Sequence, residues 1–204
     1  MKLYGCKGCG SAAVEALLQM GGLEYEYVEA VQWQPFKHHE DLVRLNPLAQ
    51  VPTLLLDDGS VMTESAAIML WLCEQLPSLV PAEPGARAQF YRWMVYVPAN
   101  LYAVFAFRDF PATWVNGEAA QADFRLRTTA RLEHYWTILE KSLKPAPYLL
   151  GATLSALDVY VAMVSRWSPG RKWFAENCPM LMQAVALTEQ HPVISRVWEK
   201  NFGK

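Results

Sequence analysis

The sequence predicts two domains in series: a small α/β domain over residues 1–77 and an all-helical domain over 86–204, joined by a linker at 78–85. Three observations predict it. Short β-branched and aromatic runs alternate with helical periods only as far as Gln75. The stretch LPSLVPAEPGAR from Leu76 to Arg87 then gathers three prolines and a glycine, the composition of a linker. From Ala86 onward no run reads as a strand, and every apolar pattern has the helical period.

The elements follow in order. Lys2–Tyr4 reads as a short strand, and Ser11–Met20 as a helix stopped by Gly21-Gly22. Tyr25–Val28 is a second strand, rich in aromatic and β-branched residues. A polar helix over Glu40–Leu45 stops before Pro47. Thr53–Leu56 and Val61–Met62 flank Asp57-Asp58-Gly59-Ser60, whose Asp-Gly pair marks a hairpin turn. Ala66–Gln75 is apolar around much of its circumference and is expected to be buried. In the second half, helical periods cover Ala86–Arg108, Glu118–Leu143, Ser155–Ser165, Arg171–Asn177 and Pro179–Glu189, with a last short one after Pro192. Ser155 and Asp158 stand at capping-box spacing, the serine capping and the carboxylate reaching back.

Composition narrows the function. At 52% hydrophobic and 19% charged residues, the 204-residue chain has the make-up of a compact protein with a substantial core. A formal charge of −2 supplies no basic field for nucleic acid or an anionic membrane surface. The longest uncharged stretch, Trp93–Phe107, is too short to span a bilayer and is interrupted by Pro98 and Asn100, so it is expected as a buried helix. The N-terminus MKLYGCKGCG has no apolar secretory core, and four scattered cysteines do not make a disulfide framework. A reducing cytoplasm is the expected location.

Two places depart from ordinary secondary-structure design. Pro52 heads an apolar strand although proline cannot donate to a ladder. With a cis bond before it, Val51 would turn its backbone N–H and C=O outward, able to pair with an extended peptide. Glu64 and Ser65 fall at a helix N-terminus, where free N–H groups attract an anion. Taken alone, the second pair is accounted for by capping, with Thr63 or Ser65 as the cap and Glu64 complementing the dipole, because capping residues are expected at every helix start.

Taken together, Asn46-Pro47, Gln50-Val51-Pro52-Thr53-Leu54, the Asp-Gly hairpin and Glu64-Ser65-x-Ala67-Ile68 resemble the glutathione-binding half of the glutathione S-transferase superfamily. The MKLYG start, the linker and the Ser155–Asp158 segment extend the resemblance more loosely along the chain. It implies a thioredoxin-like N-terminal domain, an all-α C-terminal domain, a cis bond before Pro52 and a homodimer. It also implies glutathione as co-substrate, with Val51 pairing with its cysteinyl backbone, Glu64 and Ser65 at its γ-glutamyl end, and Gln50 and Pro52 among the binding residues. A basic residue at Lys37-His38-His39 would meet the glycyl carboxylate, His38 first and Lys37 in reserve. Ala49 stands where the family usually has glycine.

The thiol-activating residue is expected in Tyr4-Gly-Cys6-Lys-Gly-Cys9-Gly-Ser11. Aligned with the bacterial members that begin MKLYY, the catalytic cysteine position falls on Gly10. Aligned with the glutaredoxin-like members, the nucleophile falls on Cys9 and the resolving position on Ala12. Lowering a thiol pKa by two units takes about 2.7 kcal/mol. A helix N-terminus supplies up to about 2 kcal/mol and one hydrogen bond to the sulfur about 1.5–3 kcal/mol. Cys9 could therefore be the nucleophile of a monothiol oxidoreductase. Equally, Ser11 could donate to glutathione's own thiolate and support conjugation. Cys6 and Cys9 form a CxxC whose second member occupies the helix start, the reverse of a redox pair. Zinc lacks two further ligands nearby.

The resemblance implies a site for a small-molecule electrophile on the helical domain, for which Tyr102, Phe105, Phe107 and Trp114 are the aromatic candidates. The same residues at helical spacing also serve as core. The expected activity is that of a glutathione transferase; a glutathione-dependent oxidoreductase and a non-catalytic glutathione-binding module are the alternatives.

Overall fold

The computed structural model describes residues 1–30 and 38–203. The chain divides into two compact units, residues 1–80 with 188–204, and residues 81–187. The C-terminal stretch thus groups with the first unit, whereas the sequence reading carries the helical domain through to 204.

The first unit holds a four-stranded sheet in the order β2-β1-β3-β4, formed by β1 (Lys2–Gly5), β2 (Glu26–Glu29), β3 (Thr53–Leu55) and β4 (Val61–Met62). β1 runs parallel to β2 and antiparallel to β3, and Leu3 lies between Tyr27 and Leu54 in register. A parallel pair needs a crossover, and α1 (Ser11–Met20) supplies it. α2 (His39–Leu45) precedes β3, and α3 (Ser65–Gln75) follows β4. This is the thioredoxin-like arrangement. Its core joins Leu3 and Leu54 of the sheet to Val14, Leu17 and Leu18 of α1 and Ile68 of α3, all with no exposed surface.

The last helix of this unit, α10 (Pro192–Phe202), packs against α1. Glu15 on α1 is completely buried, and three donors converge on its carboxylate: Lys200 Nζ at 2.5 Å, Asn201 Nδ2 at 2.9 Å and Tyr25 Oη at 3.1 Å. A buried carboxylate is tolerated only with such partners. The sequence reading foresaw a short helix after Pro192. Its attachment to α1 depends on a contact across 185 residues that no local pattern encodes.

The second unit is helical. α4 (Pro84–Tyr96) begins at Glu83, whose carboxylate accepts from the N–H groups of Gly85 and Ala86. The continuous period expected over Ala86–Arg108 is divided by a π-helical segment, Val97–Tyr102, before α5 (Ala103–Asp109). Pro98 has no N–H to give the helical ladder, and the wider turn accommodates that loss. α6 (Glu118–Ser142), α7 (Ala156–Val164), α8 (Arg171–Asn177) and α9 (Pro179–Glu189) follow. The Ser155–Asp158 capping box is formed, and Asp158 also accepts from the N–H of Leu149. Trp136 of α6 packs edge-to-face on Phe174 of α8, both fully buried. Among the described residues no helix is long and apolar enough to cross a membrane.

Candidate functional site

The candidate residues of the first unit lie on two loops and at one helix start. The loop after β1 is a tight turn: Cys9 N–H donates to the Cys6 carbonyl at 3.2 Å, and Gly8 at the third position has φ +74°. That left-handed residue marks a type II turn and favours glycine. Gly5 is required for a different reason. A Cβ there would come within 2.8 Å of Ser11 Oγ and 2.9 Å of the Tyr27 ring.

Ser11 closes this loop from below. Its hydroxyl accepts from Cys6 N–H and donates to the Cys6 carbonyl, both at 3.1 Å, and the residue has no exposed surface. The hydroxyl proton is therefore committed to the loop backbone.

Cys6 is almost wholly buried in a cluster with Tyr4, Val28, Leu42 and Val51, and the half-buried Cys9 packs against the same cluster. The structure thereby brings together Cys9 and Val51. It also joins two sulfurs: Cys9 Sγ lies 2.7 Å from Cys6 Sγ, with both residues unbridged. The Cys9 S–H donates to Cys6 and holds the Cys6 thiol below its ordinary range, although burial opposes this. Cys9 is pushed the other way, first by that same hydrogen bond and then by burial and the Cys6 charge. The two thiols titrate as a pair, Cys6 giving up its proton before Cys9.

This corrects the expectation of a Cys9 thiol lowered by the helix N-terminus. α1 begins two residues later, and the Ala12 N–H reaches the Cys9 carbonyl at 3.1 Å instead of its sulfur. It also brings into contact two cysteines whose order along the chain argues against a redox pair.

The Val51 loop is built around Asn46, a buried side chain that sequence reasoning missed as a positioning group. Its Nδ2 donates to the Gln50 carbonyl and to Thr53 Oγ1, each at 3.1 Å, while its Oδ1 accepts from Leu48 N–H. Thr53 Oγ1 in turn donates to the Gln50 carbonyl at 2.9 Å. Asn46-Pro47 was visible as a motif; the signal for its role was an asparagine and a threonine seven residues apart around a proline. The Val51–Pro52 bond is cis. Val51 and Pro52 are buried, whereas Gln50 is exposed. Ala49 takes φ +54°, the left-handed region that explains a glycine preference at this position.

At the third element, the cap residue of α3 is Glu64, with φ +64° and ψ +108°, and its side chain does not cap the helix. A non-glycine residue in that region is strained by roughly 1–3 kcal/mol. Glu64 is exposed, while Ser65, the first residue of α3, is 8% exposed. Neither Thr63 nor Ser65 occupies the cap position.

His38 stands just before α2, its Nδ1 3.6 Å from Asp41 Oδ2. Lys37 lies outside the described residues.

In the second unit, the four aromatic candidates form two separate pairs. Tyr102 and Phe105 are 6.5 Å apart and each packs edge-to-face on Trp167, at 5.0 and 5.1 Å. Phe107 packs on Trp114 at 4.6 Å, and Trp114 is 55% exposed. Trp167 was missed because it follows the helical period that ends at Ser165.

Comparison with known proteins agrees with this architecture. The family described as "Glutathione S-transferase, N-terminal domain" matches residues 11–75. An uncharacterized GST-like protein, YncG of Escherichia coli (strain K12), is 32% identical over 98% of both chains. Glutathione S-transferase GstA of Escherichia coli O157:H7 is 28% identical over 82% of each. Among solved structures, a glutathione transferase homolog from Sulfitobacter with bound glutathione superposes with a TM-score of 0.85 at 23% identity, covering 98% of this chain and 97% of that one. A thioredoxin-like domain with this loop and helix start, joined to a helical unit, defines a class, and the full-length likeness assigns the chain to it. The protein belongs to the glutathione S-transferase superfamily, of the bacterial cytosolic type.

Proposed function

We propose that the protein is a glutathione transferase, which binds glutathione in the first unit and ionises its thiol for attack on a small electrophilic molecule. The glutathione sulfur forms the new bond, and the electrophile either loses its leaving group with the bonding pair or accepts addition. The observation that carries this reading is the backbone of Glu64. A strained residue immediately before a helix start persists where surrounding structure holds it, and such strain clusters at ligand clamps. The Glu64 side chain does not cap α3, and the positive end of a helix beside Ser65 suits a γ-glutamyl carboxylate. Val51, with Gln50 and Pro52, offers the backbone for the cysteinyl segment, and His38 or Lys37 meets the glycyl carboxylate.

Cys9 is the candidate contact for the glutathione thiol, being the half-buried member of the loop. Ser11 acts through the loop, since its hydroxyl already serves Cys6. The electrophile is assigned to the second unit, with the Tyr102, Phe105 pair and the Phe107, Trp114 pair as alternative platforms. The protein works as a cytoplasmic homodimer, in detoxifying conjugation.

Calorimetry with glutathione on the wild type and on Ser65→Ala tests the site. The expected result is micromolar-to-millimolar binding, weakened about tenfold or more in the variant, because a charge-assisted hydrogen bond contributes about 1.5–3 kcal/mol. No binding at millimolar glutathione would overturn the reading. Binding without turnover of an activated aryl halide or a disulfide would leave the non-catalytic module.

A further inference from the structure

The mechanism above uses one sulfur of a loop that holds two. The contact between Cys6 and Cys9 is built by three features: the type II turn with Gly8 left-handed, the Cys9 N–H to Cys6 carbonyl bond, and the double hydrogen bond of Ser11 to Cys6. They bring the sulfurs to 2.7 Å. The two sulfurs are thus in contact within one turn, the arrangement a Cys6–Cys9 disulfide requires. The two thiols differ in access. Cys6 is 5% exposed, whereas Cys9 is half-buried, so an external reagent meets Cys9 first. When protonated, Cys6 can also donate to the Lys7 carbonyl at 3.3 Å, which keeps its sulfur beside Cys9.

The geometry points to a dithiol–disulfide couple at Cys6 and Cys9, in which Cys9 attacks a low-molecular-weight disulfide and Cys6 resolves the product. The class of substrate is a small disulfide, RS–SR; that R is glutathionyl rests on the proposed glutathione site. In the first step, from the form in which Cys6 is the thiolate and Cys9 the thiol, the proton of Cys9 passes to Cys6 and the Cys9 thiolate attacks one sulfur. A Cys9–SR bond forms, RS–SR breaks, and RS⁻ leaves. Cys6 then gives its proton to that thiolate and attacks the Cys9 sulfur. The Cys6–Cys9 bond forms, Cys9–SR breaks, and the second RS⁻ takes a proton from water. The protein dithiol is oxidised, and one RSSR is reduced to two RSH. Two thiols run the same steps in reverse. The arrangement inverts the common order, with the buried resolving cysteine ahead of the accessible one.

The test equilibrates the full chain in glutathione buffers of rising oxidised fraction, quenches with acid, alkylates the remaining thiols and measures intact and peptide mass. Four free thiols are expected to fall to two in a single step, with one peptide carrying a Cys6–Cys9 bond, because Cys73 and Cys178 are buried and solitary. Cys6→Ser should trap one glutathionyl group on Cys9, and Cys9→Ser should trap none. A wild type that accumulates a lasting glutathionyl adduct with Cys6 still free would overturn the proposal. So would equal thiol loss in Cys9→Ser. A parallel titration with oxidised dithiothreitol separates the two readings. A disulfide formed there but not with oxidised glutathione would keep the couple and remove the glutathione site. No disulfide in either, with glutathione binding intact, would remove the couple alone.

Discussion

Lys200 Nζ sits 2.5 Å from Glu15 Oε1 and 3.9 Å above the Tyr27 ring, so one ammonium near the end of the chain neutralises a fully buried carboxylate on α1 and covers an aromatic of β2. Removing one partner of a buried pair costs about 3–5 kcal/mol when the other is left stranded. Here Lys200 is 42% exposed, and Glu15 keeps Asn201 and Tyr25 as donors. Lys200→Met is therefore expected to lower stability by about 1–2 kcal/mol in urea unfolding. An unchanged midpoint would mean the ion pair is idle.

Asn46 governs the Val51 loop through three hydrogen bonds. Asn46→Ala leaves the Gln50 carbonyl with Thr53 as its donor and takes the side-chain acceptor from the Leu48 N–H, at about 1–3 kcal/mol. Glutathione affinity should fall with it, because the backbone of Val51 loses its support. Calorimetry alongside denaturation checks both. Lost stability with full affinity would separate Asn46 from binding.

Ala49 pays a left-handed backbone penalty of roughly 1–2 kcal/mol, which glycine would not. Glycine also adds about 0.4–1 kcal/mol of unfolded-chain entropy. Ala49→Gly is thus expected to raise stability by about 0.5–1 kcal/mol, read from the urea midpoint at constant m-value. A loss of stability would contradict the backbone geometry.

The cysteine pair gives stability a definite pH dependence. An unfolded thiol titrates near 9.0. Between the lowered Cys6 value and 9.0, the native pair has shed one proton while the unfolded chain keeps both, so stability rises with pH. Above 9.0 the unfolded chain sheds both and the native pair retains the raised Cys9 proton, so stability falls. The difference between wild type and the Cys6→Ala, Cys9→Ala double variant should therefore peak near that pH. A difference flat with pH would mean the sulfurs do not titrate as a pair.

Much of this molecule was legible from its residues. The Asp-Gly hairpin, the Gly21-Gly22 stop, the Ser155–Asp158 box and the helical periods all encode elements through contacts a few residues long, and the structure places those elements where the patterns do. Pro98 shifted one boundary, because its missing N–H widens a helix that side-chain periodicity alone reads as continuous.

The site divides along the same line. Val51-Pro52 and Glu64-Ser65 could be recognised in the sequence, since a proline at a strand head and a polar pair at a helix start are local anomalies. By itself the sequence determined the order of the described elements and the residues worth suspecting. The structure showed which partners Ser11, Cys9 and Asn46 take within their loops, and only the tertiary structure decided that Glu15 meets Lys200 and that residues 188–204 return to the first unit. Each of these is a choice of partner. A hydroxyl, a thiol or an ammonium has the same local sequence whichever group it meets, and the fold alone selects which one comes within hydrogen-bond reach.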